Sequence, residues 1–135
     1  MINTHKKIDK KFSGVVLENS KGYAKVELIT TKEMVADSFG LIHGGFTFSG
    51  ADYTAMVAVN EPNVVLVGAE VKFLAPVVLG DIIIFEGRVI EQEPPKAKVE
   101  VIGRVNNKEV FKGVFKTYTT KEHILNLNKW HFCHN

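Results

Sequence analysis

His43-Gly44-Gly45 and, nine residues after the histidine, Asp52 are the residues whose types and spacing suit carbonyl chemistry. Two glycines at a helix start let the backbone approach a ligand closely, and the first N–H groups of a helix have no carbonyl partner within it. Such a terminus carries partial positive charge and is suited to an anion or to a carbonyl oxygen turning negative. Asp52 lies inside FTFSGADYTAMVAVN (46–60), a segment apolar on nearly every side, where a carboxylate is costly unless it is bonded or functional. Each feature also has a plain structural reading. The glycines can be a tight turn into a helix, and Asp52 can bond the hydroxyl of Ser49, Tyr53 or Thr54. In the chemical reading Asp52 is a nucleophile, or the base that activates water, against a carbonyl carbon.

The spacing constrains that reading further. On one helix, eight residues separate Gly44 from Asp52 by about 12 Å, whereas an oxyanion donor and a nucleophile must each lie about 3 Å from the reacting group. One carbonyl cannot touch both within a chain. A catalytic reading therefore requires Gly44 of one chain to work with Asp52 of another, that is, a homodimer or a dimer of dimers.

The elements that position these residues follow from the pattern. GVVLENSKGYAKVELIT (14–30) alternates on either side of Asn19-Ser20-Lys21-Gly22 and predicts a hairpin. Thr31 is placed to cap one short helical turn before a loop that leads to the glycines. The segment 46–60 predicts a helix buried almost all round, although Gly50 lowers its intrinsic propensity by up to about 1 kcal/mol. Four long strands are then expected over 64–76, 81–93, 97–107 and 109–120, antiparallel, with Gly80-Asp81 turning between the first two and Asn106-Asn107 between the last two. In the third, Val99, Val101 and Val105 should face one way and Lys98, Glu100, Ile102 and Arg104 the other. The fold class is α+β, an antiparallel sheet wrapped around one long central helix, with open sheet edges that a second copy would cover. Residues 1–120 are read as a single domain and 121–135 as a C-terminal tail carrying at most a short helix near 121–128.

Composition narrows the function classes. A length of 135 residues, 45% hydrophobic and 24% charged, suits one globular domain. The net charge of +2 gives no footprint for nucleic acid, and Lys6, Lys7, Lys10 and Lys11 read as a solvated arm. No apolar run approaches the roughly 20 residues of a membrane span, and no secretory h-region follows the basic start, so a cytoplasmic location is expected. The single cysteine, Cys133, forms no internal disulfide. His131, Cys133 and His134 are metal ligands by type but lack a fourth, so no metal is expected. Lys96 and Lys98, beside Pro94-Pro95, are candidates to meet phosphates, although exposed turn lysines usually meet water.

The run FGLIHGGFTFSGADY (39–53) resembles the hotdog-fold thioesterases of the phenylacetate-pathway type, which have HGG with an Asp nine residues after the His. LAPVVLGD (74–81) looks like the same family's strand, proline and Gly-Asp turn, and the resemblance covers about residues 10–120. It implies a hotdog fold and an acyl-CoA or acyl carrier protein thioesterase. The Gly44 amide would polarise the thioester carbonyl, Asp52 would be nucleophile or base, and His43, Gly45 and Asp37 would border the substrate. It implies no cofactor beyond the coenzyme A of the substrate, and composite sites built by paired chains. One position departs from the pattern: Asp37 stands where many such enzymes carry an asparagine near the attacked carbonyl, and a second carboxylate there would repel an anionic intermediate, raise its neighbour's pKa, or point away.

VNEPNVVLVGAEVKFLAPVVLGD (59–81) is also similar to the ligand domain of the malonyl-CoA-responsive repressors of fatty-acid synthesis. That resemblance implies an alternative, a non-catalytic acyl-CoA-binding sensor or carrier module. The stretch before the hairpin is too short for a helix-turn-helix domain, and Asp52 stands where that sensor has a non-acidic residue. Phe39, Phe46 and Phe48 either line the acyl pocket or fill the core, with packing expected for at least two of them.

Overall fold

In the computed structural model, residues 1–127 are described. The chain runs α1 (Lys10–Ser13), β1 (Val15–Ser20), β2 (Tyr23–Ile29), a 3₁₀ turn (Lys32–Met34), α2 (Gly44–Val59), β3 (Val64–Phe73), β4 (Ile82–Glu93), β5 (Lys96–Val105), β6 (Lys108–Thr119) and a 3₁₀ turn (Ile124–Asn126). The strands form one antiparallel sheet in the order β1-β2-β4-β5-β6-β3. Alternation decides what it buries. Ala24, Val26 and Leu28 of β2, Ile83 and Phe85 of β4, Val99 and Val101 of β5 and Phe111 and Phe115 of β6 are fully buried, and they join the buried residues of α2 in one core. On β5 the outward set Lys98, Glu100, Ile102 and Arg104 is only half-buried, as its pattern predicts.

The central helix begins two residues earlier than its apolar pattern suggests, because both glycines are inside it and His43 is its N-cap. It ends at Asn60, which takes the left-handed conformation (φ 57°) and returns its N–H to Met56. Gly50 has a packing reason. A Cβ there would lie 2.5 Å from Cε2 of Phe85, so the missing side chain is what lets helix and sheet meet.

Two sequence expectations need correction. The turn through Gly80 does not join a hairpin: β3 lies at the sheet edge against β6, while β4 sits between β2 and β5. Moving three strand positions is about 14 Å, which the extended residues 74–81 span easily. On the way they pair with the loop before α2, through a Leu41–Val78 bridge and Ile42 N–H to the Val77 carbonyl at 2.8 Å. Asn106-Asn107, by contrast, is the tight turn its type suggests, both residues having positive φ.

The second correction concerns the N-terminus. Its lysines are exposed, but the segment is docked along the outer side of α2. The Asn3 N–H donates to Asn60 Oδ1 (2.7 Å), the Asn60 side chain donates to the Met1 carbonyl (2.8 Å), and Ile2, Ile8 and Phe12 pack on the core. Lysines solvate one side of this segment while its apolar residues bury the other. In the tail, residues 121–127 carry only the short 3₁₀ turn, and His131, Cys133 and His134 lie outside the described residues.

Candidate active site

The loop before α2 is closed by the side chain expected to border the substrate. Asp37 Oδ1 accepts from the N–H groups of Phe39 (2.9 Å) and Leu41 (3.2 Å), and the Ala36 N–H bonds the Leu41 carbonyl (2.7 Å). An asparagine oxygen would accept the same two bonds, so the carboxylate is compatible with this loop. Asp37 thus shapes the approach to His43 from an exposed position, with one oxygen committed to the backbone.

His43 donates its own N–H to the Met34 carbonyl (2.9 Å) and makes no side-chain cap to the helix. Its ring stands edge-on to Phe46, with centroids 6.1 Å apart. The same ring explains Gly45, since a Cβ there would come within 3.0 Å of His43 Nε2. At Gly44 a Cβ would meet Phe73 Cε1 at 3.3 Å, so the end of β3 lies directly against the first residue of the helix. As the first two helical residues, Gly44 and Gly45 have N–H groups that no intrahelical carbonyl reaches.

Asp52 is two turns further along α2. Two of the three hydroxyls expected as its partners are engaged elsewhere, Ser49 Oγ with Ser13 Oγ at 2.8 Å and Thr54 Oγ1 with the Gly50 carbonyl at 2.7 Å, and the Tyr53 hydroxyl does not bond it. Asp52 Oδ1 is buried and has no hydrogen-bond partner. Burial pushes the Asp52 carboxyl up to about 6, because the charged form loses hydration that nothing replaces. It would still be mostly ionised at neutral pH, as a base or nucleophile must be.

The sequence-selected residues therefore fall into two groups on one helix. Asp37, His43, Gly44 and Gly45 gather at its N-terminus, and Asp52 stands apart at mid-helix. Of the three phenylalanines, Phe46 stacks on Phe12 (5.6 Å) and Phe48 on Phe115 (5.5 Å), while Phe39 is 91% exposed at the loop tip. Lys98 is held by Glu91 at 3.5 Å, and Lys96 lines a cavity of about 680 Å³ with Val59, Pro95, Ala97 and Tyr118 at the far end of α2. Neither Gly44 nor Asp52 lines that cavity. Ser13 and Phe73 were not legible as site neighbours, because both reach α2 from distant parts of the chain. Among the described residues, no three His, Cys, Asp or Glu side chains cluster as a metal site, and no helix is long and apolar enough to cross a membrane.

Comparison with known proteins bears on this arrangement. The thioesterase superfamily profile matches residues 39–110, which contain the glycines and Asp52. The chain is 51% identical over 116 residues to methylthioribose-1-phosphate isomerase of Aquifex aeolicus, covering 86% of this chain but 25% of that protein. It is 30% identical over 95 residues to transcription factor FapR of Caldanaerobacter subterraneus, covering 70% of this chain and 48% of that protein. The chain thus spans between a quarter and a half of the length of these two relatives. Among solved structures, uncharacterised protein PH1136 from Pyrococcus horikoshii superposes with a TM-score of 0.91 at 44% identity, over 93% of this chain and 96% of that one. Protein smu.793 of Streptococcus mutans, solved bound to acetyl CoA, superposes with a TM-score of 0.77 at 20% identity, over 87% of this chain and 97% of that one. With a helix wrapped by one antiparallel sheet and a profile match over more than half its length, the chain is a hotdog-fold member of the thioesterase superfamily.

Proposed function

We propose that the protein is an acyl-CoA or acyl carrier protein thioesterase that works as a homodimer or dimer of dimers. The Gly44 amide of one chain receives the carbonyl oxygen, and Asp52 of the other attacks the carbonyl carbon or activates the water that does. The observation that carries this reading is the buried Asp52 Oδ1 without a partner, an expensive arrangement with no structural return in the single chain. In the nucleophilic version the carboxylate oxygen bonds to the thioester carbon as the carbon–sulfur bond breaks, the thiolate leaves and takes a proton from solvent, and water cleaves the mixed anhydride to release the acid and restore the carboxylate. In the general-base version Asp52 takes the proton of an attacking water, and the tetrahedral intermediate expels the thiolate, which is then protonated.

The geometry supports a paired site. Residue 48 is midway between Gly44 and Asp52, so a two-fold axis crossing α2 near Phe48 sets Gly44 of one chain level with Asp52 of its partner. β3 is an open edge of ten residues, and its end packs at Gly44. Pairing two such edges would satisfy the free backbone groups and bring the helices side by side. Coenzyme A enters as part of the substrate, and no other cofactor is invoked.

The likeness to FapR favours a second reading, an acyl-CoA sensor or carrier that binds without turnover. A thiol-release assay over short, long and aryl acyl-CoAs separates the two. Hydrolysis by the native protein and its loss in Asp52→Asn, with acyl-CoA binding retained, is the expected result. Stoichiometric binding with no released thiol would establish the sensor reading instead.

A further inference from the structure

A hydroxyl placed to bond Asp52 is Ser49, one turn before it, since residues three apart on a helix are surface neighbours. Its oxygen is turned towards a residue 36 positions earlier, because Ser13 Oγ and Ser49 Oγ share a hydrogen bond at 2.8 Å in which either hydroxyl can donate. Ser13 is held firmly enough to do this. It is the last residue of α1, whose start is capped by the Asp9 side chain bonding the Lys11 N–H, and only 5% of it is exposed. The following Gly14 (φ 100°) returns its N–H to Lys10, in a space where a Cβ would collide with Val26 Cγ1 at 2.6 Å and the Glu27 carbonyl oxygen at 2.8 Å. Beside it, Phe12 stacks on Phe46 of α2. The N-terminal segment is therefore fixed against the helix one turn from Asp52.

We propose that Ser13 is a positioning residue: by engaging the Ser49 hydroxyl it keeps the Asp52 carboxylate without an intramolecular donor and so free to attack or to activate water. This rests on the thioesterase reading above. Without Ser13, Ser49 would donate to Asp52, because a bond to a charged acceptor is stronger than the bond back to the Gly45 carbonyl that helical serines otherwise make. The donor would favour the ionised form and make it a weaker base and nucleophile.

Within this chain, burial alone accounts for the behaviour of Asp52. The buried side chains of β2, β4, β5 and β6 are Ala24, Val26, Leu28, Ile83, Phe85, Ala97, Val99, Val101, Val110, Phe111, Phe115 and Thr117, none of them titratable in this range, and on β1 and β3, which also touch α2, Glu18, Glu70 and Lys72 are exposed. On α1 and before it, Asp9, Lys10 and Lys11 are exposed, with Lys11 paired to Glu33 at 2.6 Å. On α2 itself Tyr53 is pushed up by burial and stays neutral, and His43 lies at the N-cap, nine residues away.

The test is a direct titration of the Asp52 carboxyl by carbon NMR in the intact protein, its signal identified by loss in Asp52→Asn. Ser13→Ala should lower the midpoint by about half a unit to one unit. The acid limb of kcat/KM should move with it, and the neutral-pH value should fall about three- to tenfold. Ser13→Ala/Ser49→Ala, and Ser49→Ala alone, should titrate as the native protein does. An unchanged midpoint in Ser13→Ala, or a lowered one that persists in the double variant, would overturn the proposal. Full activity in Asp52→Asn would instead remove the thioesterase reading and leave the titration result standing.

Discussion

The two sides of α2 are built to opposite rules. Towards the sheet the packing is close and the Thr54 hydroxyl is matched: Thr54 bonds the Gly50 carbonyl, Gly50 yields to the Phe85 ring, and Gly87 of β4 leaves room for the Thr54 methyl, which a Cβ there would approach to 3.0 Å. On the other side Asp52 has a buried oxygen with no partner, and the glycines at the N-terminus offer donors with no acceptor. A helix packed closely on one side and left unmatched on the other is what the proposed site would require. The unmatched groups are complementary in kind, donor and carboxylate, but lie about 12 Å apart in one chain. Their difference from the sheet side is what a site completed by a second copy would leave in each chain.

The contrast can be broken most severely at Asp52. Asp52→Asn keeps the shape and removes the charge, and turnover should fall about 10²–10⁴-fold, measured by thiol release, while acyl-CoA binding by calorimetry stays near native. The donor end comes next. Gly44→Pro removes the one N–H in question at the helical position where proline is tolerated best, and His43 (φ −62°, ψ 130°) already has the extended backbone that precedes proline. The added Cβ must displace the Phe73 tip by a few tenths of an ångström, which a 55% exposed side chain can supply. The kcat should drop about 10²–10³-fold with the circular dichroism spectrum unchanged.

A smaller effect distinguishes the sides by pH. With the Asp52 carboxyl at about 6 and its unfolded value at 3.8, activity that needs the carboxylate should decline as pH falls through about 6, roughly tenfold per unit below it. The stability sign is the reverse of the usual carboxylate. The folded state binds the proton more tightly, so its stability is greatest below pH 3.8 from this group and is lost as pH rises through about 6. Asp52→Asn should therefore raise the neutral-pH unfolding free energy by about 1–2 kcal/mol in a urea titration. On the sheet side the sign is opposite: Gly50→Ala forces Phe85 to move and should cost about 1–3 kcal/mol in the same titration.

Much of the fold was legible because alternation in β2, β5 and β6 and the all-round apolar character of α2 leave few ways to bury those residues. The path from β3 to β4 was not, because a proline-glycine turn looks the same whether it closes a hairpin or starts a crossing. The N-terminal docking was hidden for a different reason: its lysines dominate the composition, while Ile2, Ile8 and Phe12 make the contacts. At the site, the candidate residues and the proposal that two chains share them came from residue type and spacing. That Asp52 is unpaired did not, since it depends on where Ser49 and Thr54 send their hydroxyls, and Ser13 reaches Ser49 only through the fold.

The central claim is that each site takes its donor from one chain and its carboxylate from the other. It is tested most directly by co-refolding Asp52→Asn with Gly44→Pro and measuring thiol release. Half the random dimers would be mixed, and each would hold one site with an intact Gly44 opposite an intact Asp52, so about a quarter of native activity should return from two nearly inactive parents. Activity no greater than that of the two variants measured separately would contradict the account and confine donor and carboxylate to the same chain.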